Sequence, residues 1–327
     1  MSAAPVLSPS PLASLREIAR TTIGPSELLA PSALVVLLVV AAVAEPNVLS
    51  VSGLTLLLSS AIPLVFAALS QMCLIMLGDI DLGTGFFIGL TSTVAAVFLD
   101  ERPLVAVIIF VLLVAGYAAA GALVQIRQIP ALIVTLGASF IWLGIGLTIL
   151  PVPGGHVPQW LIKAMAIHTP VIPYPLLLAA AAAGLAYLLM IRMPYSAVLR
   201  GFGSNSEALS RGGWSAVRVR ITAYALAAVF GILGGLATAG IIASGDTQAS
   251  ANYTLLAIAA TILGGGRFTG GRAVPLGAVV GALAISVAGS VLALIGITSN
   301  FQTGVQGLIL IAVLAGRVIT DRSRSRA

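Results

Sequence analysis

LTLLLSSAIPLVFAALSQMCLIMLGDIDLGTGFFIGLTSTVAAVFL, residues 54–99, holds two apolar runs, 54–76 and 83–99, on either side of the turn Leu77-Gly78-Asp79-Ile80-Asp81-Leu82-Gly83-Thr84-Gly85. A helix that crosses a bilayer needs about 20 apolar residues. The first run meets that length, and the second falls short of it. Outward from this stretch, further apolar runs recur at 28–44, 104–124, 131–150, 174–191, 221–243, 254–266, 273–295 and 303–319, ten in all. The chain is 59% hydrophobic and only 8% charged over 327 residues, whereas ordinary soluble domains carry about a quarter of their residues as charged side chains. The expected fold is therefore an all-α integral membrane protein of about ten transmembrane helices, some broken or short.

Basic residues orient that fold. Arg16, Arg20, Arg127, Arg192, Arg200, Arg211, Arg218, Arg220, Arg267, Arg272, Arg317, Arg322, Arg324 and Arg326 fall on one side of the ten runs, and only Arg102 and Lys163 on the other. Cytoplasmic loops carry the excess of Lys and Arg, so both termini are expected in the cytoplasm. The net charge of +6 is thus a topology signal, and no nucleic-acid partner is expected. Residues 1–27 read as a cytoplasmic tail, 28–319 as the transmembrane domain and 320–327 as a basic tail. The small residues Ala42-Val43-Ala44 that close the first run could mark a signal-peptide cleavage site, but the long leader favours an uncleaved first span.

Two runs, 83–99 and 254–266, are too short to cross alone, and both border glycine clusters. The second cluster reads Leu263-Gly264-Gly265-Gly266-Arg267-Phe268-Thr269-Gly270-Gly271. Irregular backbone at membrane depth is tolerated only where protein or a cavity satisfies it, and short, glycine-interrupted segments in two halves of a chain point to a translocation site. Gly78, Asp79, Asp81, Gly83, Gly85, Gly264, Gly265, Gly270 and Gly271 are the candidate pathway residues. Close helix packing through glycine is the alternative. Asp81 is placed to cap the helix starting near Gly83, and its neighbours to offer backbone groups to a solute hydroxyl.

Several chemistries are missing from the sequence. A P-loop needs G-x-x-x-x-G-K-[ST], and the one lysine, Lys163, follows Trp160-Leu161-Ile162. His156 and His168 share one loop with no metal-binding helix pattern, and the single cysteine, Cys73, lies inside an apolar run. No cofactor, metal or catalytic cluster is expected. No run carries an ionisable residue at its centre, where ion-driven carriers keep them. Aromatic residues such as Trp142, Trp160, Phe86, Phe87 and Phe140 read as packing or interfacial anchors before solute platforms.

If transport is driven uphill, a partner supplies the energy, and the longest internal cytoplasmic loop, 192–220, is its docking place. Five arginines there face one acid, Glu207. Ser204-Asn205-Ser206-Glu207 fits a capping box and Gly212-Gly213 a helix stop. A two-turn helix is marginal alone, so Ala208 and Leu209 need a surface, either the membrane domain or another protein.

These residues together resemble the permease subunits of bacterial ABC importers of the ribose/xylose/arabinose type, the branch that includes autoinducer and nucleoside permeases. Gly78 to Gly85 is similar to G-G-I-D-L-S-x-G, departing at Asp79 and Gly83. Pro130-Ala131-Leu132-Ile133-Val134-Thr135-Leu136-Gly137 resembles P-A-F-I-x-T-L-G, and Gly203-Ser204-Asn205-Ser206-Glu207-Ala208 resembles the start of the family's ATPase-contacting loop, which then diverges at Leu209, Ser210, Gly212 and Trp214. Gly264-Gly265, Gly270-Gly271-Arg272, Leu276-Gly277 and Gly281-Ala282 follow G-G-x-x-x-x-G-G-R-G-S-x-x-G-x-x-x-G-A, with departures at Ala273, Val274 and Pro275.

The resemblance implies a non-enzymatic subunit of the bacterial plasma (inner) membrane that forms a pore with a second permease subunit, as homodimer or heterodimer. It implies a cytoplasmic ABC ATPase, as two domains or one tandem chain, and an external binding protein that delivers a small polar solute, foremost a monosaccharide. Gly203, Ser204, Asn205, Glu207, Ala208, Leu209, Arg211 and Gly212 become the expected ATPase-coupling residues. A ten-span secondary transporter of the drug/metabolite kind is the alternative reading, and an integral-membrane enzyme lacks the convergent polar residues it would need.

Overall fold

The computed structural model describes residues 28–297 together with residues 301, 304, 305, 307 and 308. Every apolar run that falls within the continuous part is helical. The chain begins with α1 (Leu29–Ala44), followed after a short 3₁₀ turn by α2 (Val51–Ser59) and α3 (Ala61–Ile75). Next come α4 (Thr84–Phe98), α5 (Pro103–Arg127), α6 (Ala131–Ile149), α7 (Gln159–Met165) and α8 (Tyr174–Tyr187), the last running on through a π-turn at Leu188–Arg192. α9 (Pro194–Ser204) and α10 (Ser206–Arg211) lie in the stretch 192–220, and α11 (Ala216–Ile242), α12 (Tyr253–Leu263) and α13 (Pro275–Leu294) follow.

Five of these helices are long and apolar enough to cross a membrane, or six if α2 and α3, bent by 48° at their junction, count as one broken span. The expected ten is therefore not reached among the described residues. One reason is that α1, α4 and α12 are shorter, at 16, 15 and 11 residues. At 1.5 Å per residue α12 is only about 16 Å long, roughly half a hydrocarbon core. The tenth run, 303–319, lies almost wholly outside the described residues, as do both chain ends.

Local chemistry sets the boundaries. Proline stands in the first turn of α5, α8, α9 and α13, where its missing N–H costs nothing. Ser50 and Ser215 cap α2 and α11 by accepting from Gly53 N–H and Arg218 N–H. α5 ends in a left-handed residue at Gln128, and α11 at Ala243, both with φ of 53°.

The core is built around α3, every residue of which is buried, and α11, which packs against α3, α4 and α5. Lipid tails are as apolar as leucine, so close packing rather than exclusion from water holds such helices together. At α4 and α11 the approach is very tight. A Cβ on Gly235 would lie 1.8 Å from Thr91 Oγ1.

The two short helices are joined in one arrangement. The non-helical stretch 78–83 leads into α4, and the non-helical stretch 243–252 leads into α12. Each stretch lies beside the other's helix. Ile80 and Leu82 pack on Ile258 and Ile262 of α12, while Thr247 bonds Thr93 of α4 at 2.9 Å and the Asp246 carbonyl accepts from Ser92. The two helix starts meet where Gly85 N–H donates to Thr254 Oγ1 at 2.9 Å. The two units thus run in opposite directions, each an unwound half followed by a helical half.

Candidate functional site

The first break begins with a glycine stop. Gly78 adopts φ of +85°, and the bonds from Gly78 N–H to Ile75 O and from Asp79 N–H to Leu74 O close the end of α3, as a left-handed C-terminal residue does. The chain then passes through the protein interior without helical bonds, so its polar groups need side-chain partners. Thr135 of α6 accepts from Leu82 N–H at 3.0 Å and donates to Ile80 O at 3.3 Å. The Gln71 amide of α3, turned with its nitrogen toward the Asp81 carbonyl, donates there at 3.2 Å and accepts Asp81 N–H at 3.1 Å.

Asp81 is fully buried and organises the start of α4. Its carboxylate accepts from Gly83 N–H at 2.6 Å, from the Thr84 hydroxyl at 2.7 Å and from the Tyr117 hydroxyl. Tyr117 stacks on Trp142 with centroids 6.0 Å apart and meets the edge of Phe87 at 4.5 Å. The capping expected of Asp81 is present. Of the backbone groups around it, Leu82 N–H and Ile80 O are paired with Thr135, Gly83 N–H with Asp81 itself, and the Asp81 N–H and carbonyl with Gln71. Phe87 and Trp142 are buried packing residues, whereas Phe140 and Trp160 are exposed.

Asp79 takes a different set of partners. Arg220 Nη2 donates to its Oδ1 at 3.0 Å, the Tyr224 hydroxyl donates to Oδ2 at 3.2 Å, and Arg220 Nη1 donates to Gln125 Oε1 at 2.9 Å. The guanidinium lies 5.5 Å from the ring centroid of Phe202.

Each of the two glycine turns leads into a helix, 78–83 into α4 and 264–271 into α13. They differ in that 78–83 precedes a short helix whereas 264–271 follows one, and the stretch that precedes the short helix α12 is 243–252. The turn residues do meet. Gly271 N–H donates to Met76 O at 2.8 Å, and Cβ atoms on Gly270 would lie 2.9 Å from Gly78 N and 2.8 Å from Gly203 O. Gly264 has a packing role: a Cβ there would sit 2.1 Å from Gly277 O, so α12 and α13 cross in backbone contact. Gly85 likewise faces the Ser250 carbonyl, and Gly265 has φ of +103°.

The stretch 243–252 was missed in the sequence. Its polar run Ser244-Gly245-Asp246-Thr247-Gln248 between two apolar runs was the available signal, and it reads equally well as a surface loop.

The α9–α10 loop joins the same place. Gly203 touches Met76 and Gly271, and Ser204 Oγ faces Gly271. The helix cap differs by one residue from the expected capping box: Ser204 ends α9 and donates to Arg200 O, while Asn205 Oδ1 accepts from Ala208 N–H at 2.9 Å and caps α10. Glu207 does not reach back to the cap and instead pairs with Arg211 at 3.2 Å. Gly212 and Gly213 do stop the helix, with Gly213 at φ of +87° and Trp214 N–H bonding Leu209 O. No residue of α10 is buried. Leu209 packs partly against Gly201, and Ala208 faces outward. Hollows of about 400 and 450 Å³ flank the helix, the first beside Tyr195, Trp214 and Arg218, the second beside Gln125, Glu207 and Arg211.

Comparison with known proteins adds an independent line. Residues 53–314 match the family model described as "Branched-chain amino acid transport system / permease component". The chain is 30% identical over 302 residues to the autoinducer 2 import system permease protein LsrC of Escherichia coli, covering 88% of this chain and 85% of that protein. It is 27% identical over 294 residues to the ribose import permease protein RbsC of Haemophilus influenzae, covering 86% of this chain and 90% of that protein. No solved structure matches significantly.

Proposed function

Because the chain belongs to the branched-chain amino acid transport system / permease component family, we propose that it forms the translocation pathway of an ATP-driven importer for a small polar solute. The chain is a multi-pass permease of the bacterial plasma membrane, akin to ABC import permeases. One relative is named for ribose and another for autoinducer 2. A monosaccharide, or a polar molecule of that size, is the proposed cargo. The partners are a cytoplasmic ABC ATPase that hydrolyses ATP, an external solute-binding protein and a second permease subunit.

The observation that carries this reading is the meeting of Met76, Gly203 and Gly271. The end of α9, joined through Asn205 to the exposed helix α10, rests by its backbone on both glycine turns. In the proposed mechanism the ATPase grips α10 through Asn205, Glu207, Ala208, Leu209 and Arg211, and its closure rocks the two broken units against each other. Gly78 to Gly85 and Gly264 to Gly271 frame the moving part. The ten-span topology, the cytoplasmic termini and the division into tail, 28–319 transmembrane domain and basic tail belong to the same proposal. The secondary-transporter alternative gives no use for an exposed, capped helix.

Purification of the tagged permease from native membranes tests the reading. An ABC ATPase should co-purify, with hydrolysis stimulated by a solute-loaded binding protein. Purification of the permease without any ATPase, with protonophore-sensitive uptake, would contradict it.

A further inference from the structure

We propose that Arg220 and Asp79 form a tie that passes movement of the α9–α10 loop to the first broken unit, which makes both of them positioning residues for transport. The inference rests on the importer reading and deepens it.

The two residues lie 141 positions apart, with side chains only 15% and 8% exposed. A second ion pair, Glu207–Arg211, is about 80% exposed on both sides, where such pairs contribute little. A buried pair behaves differently, because separating the partners strands a charge away from water. The elements it joins are therefore constrained to move together.

Those elements are the ones the proposed mechanism must connect. Arg220 sits in the first turns of α11, immediately after the α9–α10 loop. One guanidinium nitrogen reaches Asp79 in the first break, another reaches Gln125 at the end of α5, and the face of the group covers Phe202 of α9. Phe202 adjoins Gly203, which rests on Met76, three residues before Asp79. The loop thus contacts the break twice, once through backbone and once through this side chain.

The test uses the full transporter, reconstituted with its ATPase and binding protein, with labelled ribose as first probe and solute uptake and ATP hydrolysis measured on one sample. Asp79→Ala and Arg220→Ala should lower uptake at least tenfold while hydrolysis falls less than twofold, so that solute moved per ATP drops. The exchanged variant D79R/R220D should recover at least a third of the wild-type ratio. Tyr224→Phe, which removes one bond to Asp79 and keeps the ion pair, should stay within twofold of wild type.

Equal losses of uptake and hydrolysis in the alanine variants, at matched protein amounts, would mean a merely structural pair and overturn the inference. If the alanine variants do not reach the membrane, Asp79→Asn and the exchange carry the decision, and an unchanged ratio in Asp79→Asn overturns it. A wild-type complex without ATP-driven uptake of any monosaccharide would defeat the importer reading itself, and the inference with it.

Discussion

A Cβ placed on Gly203 would lie 1.9 Å from the carbonyl oxygen of Met76, so the end of α9 rests directly on the backbone of the first broken turn. No side chain fits between the α9–α10 loop and the break. The contact is backbone against backbone, and neither side can yield by changing a rotamer.

Gly203→Ala should therefore push α9 off the turn. Overpacking of this kind costs about 1–3 kcal/mol, more where backbone must move. The expected result is a lower melting temperature in detergent and loss of most uptake. Gly201→Ala is the control, because its Cβ would approach only the end of Leu209 at 3.4 Å; it should melt and transport like wild type.

Asp81 holds three donors in a buried site. Asp81→Ala leaves Gly83 N–H and two hydroxyls without their acceptor, at about 1–3 kcal/mol for each stranded group. Uptake should fall sharply, with reduced thermal stability. Tyr117→Phe removes one donor and keeps the other two bonds, and should cost about 1 kcal/mol. Wild-type uptake and stability in Asp81→Ala would show that the carboxylate does not order the start of α4.

The non-helical stretch 243–252 is seated on α4 through glycine. A Cβ on Gly89 would come within 2.0 Å of Thr247 O, whereas Gly144 on α6 has nothing within 4 Å. Gly89→Ala should fail to accumulate as folded protein in membranes. Gly144→Ala should insert normally and leave the melting temperature within about 2 °C, the shift of a surface change near ±0.5 kcal/mol.

Asn205 closes the exposed helix α10. Its replacement by alanine removes an N-cap worth about 1 kcal/mol, in a helix only 6 residues long that is marginal without it. The permease itself should be as stable as wild type, since α10 buries no residue. Binding of the ATPase should weaken several-fold in co-purification or titration. Equal ATPase binding would argue that α10 is not the docking element.

The helices were legible because apolar runs of the right length leave little choice of structure, and the stop at Gly212-Gly213 was legible because Gly213 carries the left-handed turn the pattern requires. The tertiary pairing was not. Ser204 and Asn205 both suit a cap, and only the path of α9 decides that Ser204 ends one helix while Asn205 starts the next. The stretch 243–252 resembles a surface loop because its polar groups are satisfied from α4, more than 150 residues away. The Asp79–Arg220 pair spans a similar distance, and nothing local to either residue names the other.

The proposed function has this permease import a small polar solute with ATP hydrolysed by a separate subunit. The most direct measurement is accumulation of labelled monosaccharides, ribose first, in ATP-loaded proteoliposomes holding the permease, its ATPase and the external binding protein. The expected result is uptake against a gradient that requires ATP and the binding protein and persists in the presence of a protonophore. Accumulation that proceeds without ATP and collapses with the protonophore would contradict it.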